Sequence, residues 1–408
     1  MDKRALLDDR RMAVLLAMMT AIMPLSVDAY LPAVPEMAHD FGVNIEQIGK
    51  SLSSFMLGVA CGQLLGGAVS DIKGRRLVAL GGLAAYAAGS LLLAHTQSLH
   101  ALLSFRLLQA FGGGMAAVMA GAVVRDFYDG RQAAQMFALI GIVMMSAPLL
   151  APMLGSVLLD LGGWRSIFVF LTAYSLVVWL LMWRFLPSSG NTGGKLDASF
   201  FRDMFARYWG VLKTYPALGF LFFQAFSFAS MFVFLTESTF VYRELYGLSA
   251  RGYAWVFGCN ILTMASFNRI TAWRLKRGNN AEDILLWGLS IQLAANVLLV
   301  AAAALSGGMP PFWLLVLLAM LSVGTQGLVT ANTQACFMSY FRQSGGSANA
   351  LLMSSTSLIG AAAGWVATEL HDGTLYVMAG LMLCATLAGM LLLAAFSRFV
   401  WLKRPAAE

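Results

Sequence analysis

One carboxylate, Asp28, stands in "PLSVDAYLPAVP", residues 24–35, an otherwise apolar stretch punctuated by prolines. One guanidinium, Arg106, opens "RLLQAFGGG", residues 106–114, inside another apolar run. A charge near the centre of an apolar membrane helix costs roughly 2.5–3.5 kcal/mol on insertion scales, so an unpaired one persists only where it has a use. Asp28 precedes Glu36 by eight residues and Arg106 follows Leu99 by seven; at 1.5 Å per residue they sit roughly 12 Å and 10 Å from one surface. The chemistry open to two such groups at one depth is reversible protonation, because burial favours the neutral acid while a nearby guanidinium favours the anion. Asp28 and Arg106 are therefore the candidate proton-coupling residues. The rival roles are a structural ion pair between them and, for Arg106, snorkelling to the headgroups.

The elements that hold these groups follow from composition. Of 408 residues, 59% are hydrophobic and 12% charged, and the apolar residues come in blocks of twenty or more, the mark of an integral membrane protein. Such blocks must be helices, since hydrocarbon satisfies no exposed backbone amide and barrel strands would alternate polar and apolar residues. The net charge of +7 lies in short caps between blocks, which fits membrane orientation and argues against a nucleic-acid partner. The four cysteines, Cys61, Cys259, Cys336 and Cys384, lie within blocks without CxxC pairing, and His39, His95, His100 and His371 fall near outer ends, so neither a metal site nor an intramembrane histidine relay is indicated. HExxH, GxSxG and GxxxxGK[ST] patterns are missing, which disfavours an enzyme or a nucleotide-driven pump. The first block follows a charged tail without a cleavage site and is read as a retained helix.

Twelve apolar blocks are expected, near 11–35, 47–69, 76–95, 99–123, 133–159, 164–186, 215–240, 250–272, 282–304, 310–336, 346–369 and 374–397, the fifth tilted or kinked by Pro148 and Pro152. Arginine and lysine concentrate in alternate connections, among them Lys73, Arg75 and Arg76, and Arg269, Arg274, Lys276 and Arg277; the positive-inside rule then puts both termini in the cytoplasm. The longest connection divides the chain into a six-helix bundle over 1–186, a cytoplasmic linker over 187–214 and a second bundle over 215–408. In the linker Leu196, Phe200, Met204, Tyr208 and Leu212 form one helical stripe, expected to lie in the membrane interface or to belong to an ordinary soluble linker helix. A 6+6 chain places a site between its bundles.

Between the second and third blocks runs "GAVSDIKGRR", residues 67–76, in which Gly67, Asp71, Gly74, Arg75 and Arg76 stand at GxxxDxxGRR spacing. With twelve helices, this resembles the major facilitator superfamily, and the resemblance implies an all-α membrane fold of two six-helix bundles. It further implies that Asp71 meets the start of the eleventh helix, at "SGGSAN", residues 344–349, as a conformational switch; Ile72 stands where the family usually has a basic residue. "DAYLPAVPEMA", "RLLQAFGGG", "APLLAPMLG" and "GWRSIFVF" together resemble the Bcr/CflA group of drug/proton antiporters. In the helix-five antiporter signature Ala147-Pro148 and Ala151-Pro152 replace the commoner Gly-Pro.

The resemblance implies proton-coupled efflux of small amphipathic or drug-like molecules across the bacterial inner membrane. An alternative is a dedicated exporter of an amino acid, dipeptide or siderophore. Tyr30, Met56 and Gln109 are expected to line the substrate cavity from the first bundle. Gln224, Asn260 and Asn296 project near the midplane of the second, as does Gln292. Glu237 and Glu369 are read as solvated carboxylates near outer helix ends. No cofactor is expected beyond protons as coupling ion; the partners expected are a small-molecule substrate and the lipid bilayer, with the protein a monomer.

Overall fold

The computed structural model describes residues 9–128, 130–187, 198–341 and 345–397; Lys3, Arg4, Ser344 and most of the linker's "PSSGNTGGK" lie outside them. Among the described residues the chain is helical and carries no strand. Its first half comprises α1 (Asp9–Asp28), a 3-10 turn (Leu31–Ala33), α2 (Val34–Phe41), α3 (Ile45–Lys73), α4 (Arg75–Ala94), α5 (Leu99–Phe127) and α6 (Gly130–Phe185). The linker contributes α7 (Ala198–Leu212). The second half comprises α8 (Tyr215–Thr239) with a π-helical turn (Phe240–Leu245), α9 (Ala250–Lys276), α10 (Ala281–Leu305), α11 (Phe312–Gly324), α12 (Gln326–Met338), α13 (Gly345–Leu370) and α14 (Leu375–Ser397).

Helix starts follow local capping chemistry. Ser98 accepts from Ala101 N at 3.3 Å, Ser249 accepts from Gly252 N at 3.1 Å, and Asn44 forms a capping box with Gln47; each satisfies amide donors that a helix start leaves open. The end of α1 is set by Pro32, which has no N–H to give to the Asp28 carbonyl four residues back, and the chain continues through the 3-10 turn into α2. Asp28 is thereby left as the last residue of α1.

Ten helices among the described residues are long and apolar enough to cross a membrane. The expected eighth block is helical, as α9, but carries Arg251, Asn260, Asn268, Arg269 and Arg274 and is not one of the ten. The fifth and sixth expected blocks both lie in α6. Its dihedral break is at Gly162 and Gly163, the latter at φ 68°, not at Pro148 or Pro152. There the chain reverses: Trp164 and Arg165 bond Asp40 near the end of α2, and twenty residues on Arg76, at the start of α4, donates to the Trp183 carbonyl. Glycine at 163 is required because an L side chain is strained at that φ.

Within the first half, α3 and α5 approach backbone to backbone along Gly58, Gly62 and Gly66, where any Cβ would overlap Leu107, Phe111 or Met115 of α5. Small residues four apart let membrane helices close in this way. The halves meet where α3 runs along α13 and α6 along α9. The outward-facing surface is apolar, with Leu176, Val177, Leu180 and Leu391 more than half exposed, as hydrocarbon surroundings require. The α7 stripe faces protein: Phe200, Met204 and Tyr208 are buried against Leu64, Ala68 and Ile72 of α3 and Ala350 of α13. Tyr208 Oη donates to the Leu64 carbonyl at 3.1 Å. Phe205 and Trp209, at 65% and 60% exposure, occupy the opposite face. We call the end covered by α7 the linker end and the opposite one the distal end.

Candidate functional site

Asp28 is 6% exposed, and no hydrogen bond or ion pair joins it to any described residue. Its neighbours two positions away on either side explain its direction. The Ser26 hydroxyl bonds Tyr86 Oη of α4, and Tyr30 Oη bonds Ser51 Oγ of α3 at 2.7 Å. Residues four apart share a helix face and the one between them points away. Asp28 is therefore turned from the interior of its own half toward the other, where Tyr253 of α9 lies within coulombic reach.

Arg106 is fully buried on the far side of that backbone. Its guanidinium lies 4.0 Å from the ring centre of Tyr30 and 5.2 Å from those of Phe55 and Phe168. It donates to the Ser26 carbonyl at 3.1 Å and to Gln109 Oε1 at 3.0 Å, while Nε and the second terminal nitrogen have no acceptor among the described residues. The equal depth expected from sequence does not make an ion pair here: no salt bridge joins Asp28 to Arg106 among the described residues. Nor does Arg106 snorkel. An aromatic cage supplies cation–π attraction in place of water, and the cation braces the bend that ends α1. Phe55 and Phe168 have no sequence mark that separates them from lipid-facing phenylalanines.

The other expected contact residues divide into two kinds. Tyr30 and Gln109 point into the first half; Gln109 Nε2 donates to Ser90 Oγ at 2.8 Å. Asn296 ties three helices, its Nδ2 donating to Thr386 Oγ1 at 2.8 Å and to Ser230 Oγ and the Met382 carbonyl at 3.2 Å. Those three are held by helix packing, although Asn296 Oδ1 is itself buried with no donor among the described residues. Gln224, bonded weakly to Thr330 Oγ1 at 3.5 Å, and Asn260, bonded to the Val256 carbonyl at 3.2 Å, each keep a buried side-chain oxygen with no donor. Gln292 is bonded to Ser227 at 2.9 Å. Met56 is 8% exposed.

The switch motif lies at the linker end. Gly74 takes φ 91°, allowing α3 to pass directly into α4. Arg75 is fixed by two carboxylates, Asp71 Oδ1 at 2.6 Å and Asp126 Oδ2 at 3.0 Å. Asp71 and Gly67 share a cavity of about 140 Å³ with Gly346, Ser347 and Asn349 in the first turn of α13, the end of the helix dipole that favours a carboxylate. Pro148 and Pro152 lie within helical α6, where it packs on α1.

At the distal end charged groups tie the halves together. Arg243 donates to Glu36 at 2.9 and 3.0 Å and also to the Pro32 carbonyl. Lys50 pairs with Glu369 at 2.6 Å and Arg251 with Asp160 at 2.7 Å. Glu237, expected in solvent, is 2% exposed and bonds His371 Nδ1 at 2.8 Å. The sequence places both near a helix end but not facing each other across a loop.

The chain is similar to known proteins. The chain is 29% identical over 378 residues to the bicyclomycin resistance protein homolog of Haemophilus influenzae, covering 91% of this chain and 94% of that one. It is 30% identical over 299 residues to a chloramphenicol resistance protein of Pseudomonas aeruginosa, covering 71% and 69%. The crystal structure of the human organic anion transporter MFSD10 superposes with a TM-score of 0.70 over 97% of this chain and 100% of that one, at 21% identity, a likeness of fold alone. Residues 16–364 match the sequence profile of the Major Facilitator Superfamily, and the chain belongs to that superfamily of membrane transporters.

Proposed function

We propose that the protein is a proton-coupled exporter of small amphipathic or drug-like molecules, working by alternating access between its two halves and carrying out no catalysis. The observation that carries the reading is Asp28: a buried carboxylate at the interface of the halves with no hydrogen-bond or ion-pair partner among the described residues. Burial there tolerates the neutral acid and penalises the anion, so a proton or a polar substrate group is what the site can accept. The names of the bicyclomycin and chloramphenicol resistance relatives support drug-like cargo.

In this reading Asp28 takes a proton while the distal side is open and yields it on the linker side when substrate arrives, proton and substrate competing for one region. Arg106 acts from behind the bend, holding the Ser26 carbonyl and the Tyr30 ring so that Asp28 keeps its direction. Asn260 and Gln224, with their free buried oxygens, are the polar contacts offered to substrate from the second half. In this reading α9 and the first leg of α6 complete the ten strongly apolar spans to twelve crossings of a bacterial inner membrane, which keeps both termini on the side of the linker end, and the basic residues of the connections there assign that side to the cytoplasm. The protein acts as a monomer, with no cofactor but the proton.

Transport into inverted membrane vesicles with a panel of drugs tests this. Wild type is expected to accumulate at least one drug when the vesicle interior is acid, and Asp28→Asn to fail to concentrate it. Accumulation by Asp28→Asn at undiminished proton dependence would overturn the assignment.

A further inference from the structure

The distal end holds a second cluster of titratable groups, built from residues that the proposed role of Asp28 does not use. His371 follows α13. Its Nδ1 lies 2.8 Å from Glu237 Oε2 of α8, and its Nε2 lies 3.1 Å from Glu46 Oε1 in the first turn of α3. The imidazole thus bridges a carboxylate of its own half and one of the other half. All three side chains are largely enclosed, at 7% exposure for His371, 3% for Glu237 and 19% for Glu46. The Phe240 ring closes on the imidazole edge-on at 4.3 Å. A cavity of about 650 Å³ opens from the cluster to the distal surface.

Proton counting decides what this geometry means. An ionised carboxylate only accepts hydrogen bonds, and a neutral imidazole has one N–H to give. Both ring nitrogens face carboxylate oxygens, so the closed cluster holds one more proton than a neutral histidine between two anions. If the halves part, Glu46 leaves with α3 and His371 keeps only Glu237. We propose that Glu46, His371 and Glu237 form a second proton-binding site, which latches the distal ends of the two halves when the proton is bound and frees them when it is lost.

The surrounding charges are consistent with a proton-controlled latch. Glu244 of the π-helical turn, Asp372 of the histidine's own loop and His39 of α2 line the same cavity, and the Lys50–Glu369 pair crosses the interface beside it. The ties made by Arg243 and Arg251 use guanidinium groups, which keep their charge. For His371 burial alone acts downward, but the hydrogen bonds it donates to Glu237 and Glu46 outweigh it and push the imidazole from an ordinary value near 6.5 up to about 10. A value raised further in the latched state means that latching is fully favoured below the value His371 takes when Glu237 alone faces it. The advantage fades as pH rises toward about 10. The proton comes from the distal medium, through the open cavity. A transporter working against an acid exterior would then gain a distal gate that closes in response to it.

The test is a pair of spin labels on opposite halves at the distal end, at Gln97 between α4 and α5 and Met309 between α10 and α11, both exposed, in a chain with its four cysteines replaced. Pulsed dipolar spectroscopy on the purified protein is expected to show the short distance at pH 6. A longer population should grow as pH is raised from 6.5 to 10, the short-to-long ratio falling by up to about tenfold per pH unit once pH exceeds the value His371 takes with Glu237 alone. His371→Gln and, separately, Glu46→Gln are expected to abolish this response, and Asp28→Asn to retain it. A wild-type distribution constant over that range would overturn the proposal. So would an unchanged response in Glu46→Gln, or its loss in Asp28→Asn, which would assign the titration to the other site.

Discussion

Gly155 of α6 lies against the carbonyl of Ala29, the residue after Asp28, so closely that a Cβ at position 155 would overlap the Ala29 oxygen and carbon. The bend that aims Asp28 is thus seated on a bare stretch of α6 backbone. Gly155→Ala is expected to push α1 and α6 apart and cost about 1–3 kcal/mol, the usual range for overpacking. It should lower the thermal unfolding midpoint and reduce transport at least severalfold. Unchanged melting and transport would show that the contact is looser than this.

Arg106 is held from the other side by two hydrogen bonds and three aromatic rings. Lysine carries the charge but cannot reproduce the fork or the flat stacking surface. Arg106→Lys is therefore expected to cost on the order of 2 kcal/mol, the loss of charged hydrogen bonds to buried acceptors, with a clear drop in melting temperature. The pH dependence of transport should shift little if Arg106 acts only through the bend. A large shift of the pH profile with unchanged melting would restore it to direct proton coupling.

Asp71 is half exposed, so its pair with Arg75 contributes little to stability, about 0–1 kcal/mol. Its place by the first turn of α13 matters only while that contact forms and breaks. Asp71→Asn should accordingly leave the melting temperature within a degree or two and slow transport severalfold. Equal losses of stability and transport would mark the motif as structural only.

The α7 stripe is a further test, because its partner is protein from both halves. Met204→Glu would bury a carboxylate against Ala68 and Ala350, and α7 is expected to undock. Protease cleavage within α7 should become faster while the transmembrane core survives. Resistance equal to wild type would contradict the docking.

The sequence made the shared level of Asp28 and Arg106 legible, because rise per residue is fixed, but not their direction. Azimuth was nonetheless available: Ser26 and Tyr30, four apart with polar side chains, mark the face toward the first half, leaving Asp28 on the other. Gly67, Asp71, Gly74 and Arg75 fall where their spacing puts them, since a tight turn and a helix end are local matters. Glu237 and His371 could not be paired in advance, being 134 residues apart in sequence and joined only by the packing of α8 against α13. The break between the fifth and sixth blocks falls between 159 and 164, where the sequence puts it, but the kink expected at Pro148 and Pro152 does not appear in the dihedrals, which depart from helix only at Gly162 and Gly163. The α7 stripe was read correctly as a stripe. An apolar face does not say whether lipid or protein covers it.

The central claim is that Asp28 exchanges its proton for substrate. Purified protein in weakly buffered detergent solution, mixed with a transported drug while pH is recorded, tests it most directly. Wild type should release protons in proportion to drug bound, and Asp28→Asn should bind drug without releasing any through this site. Equal proton release from both, or none from wild type at saturating drug, would contradict the claim.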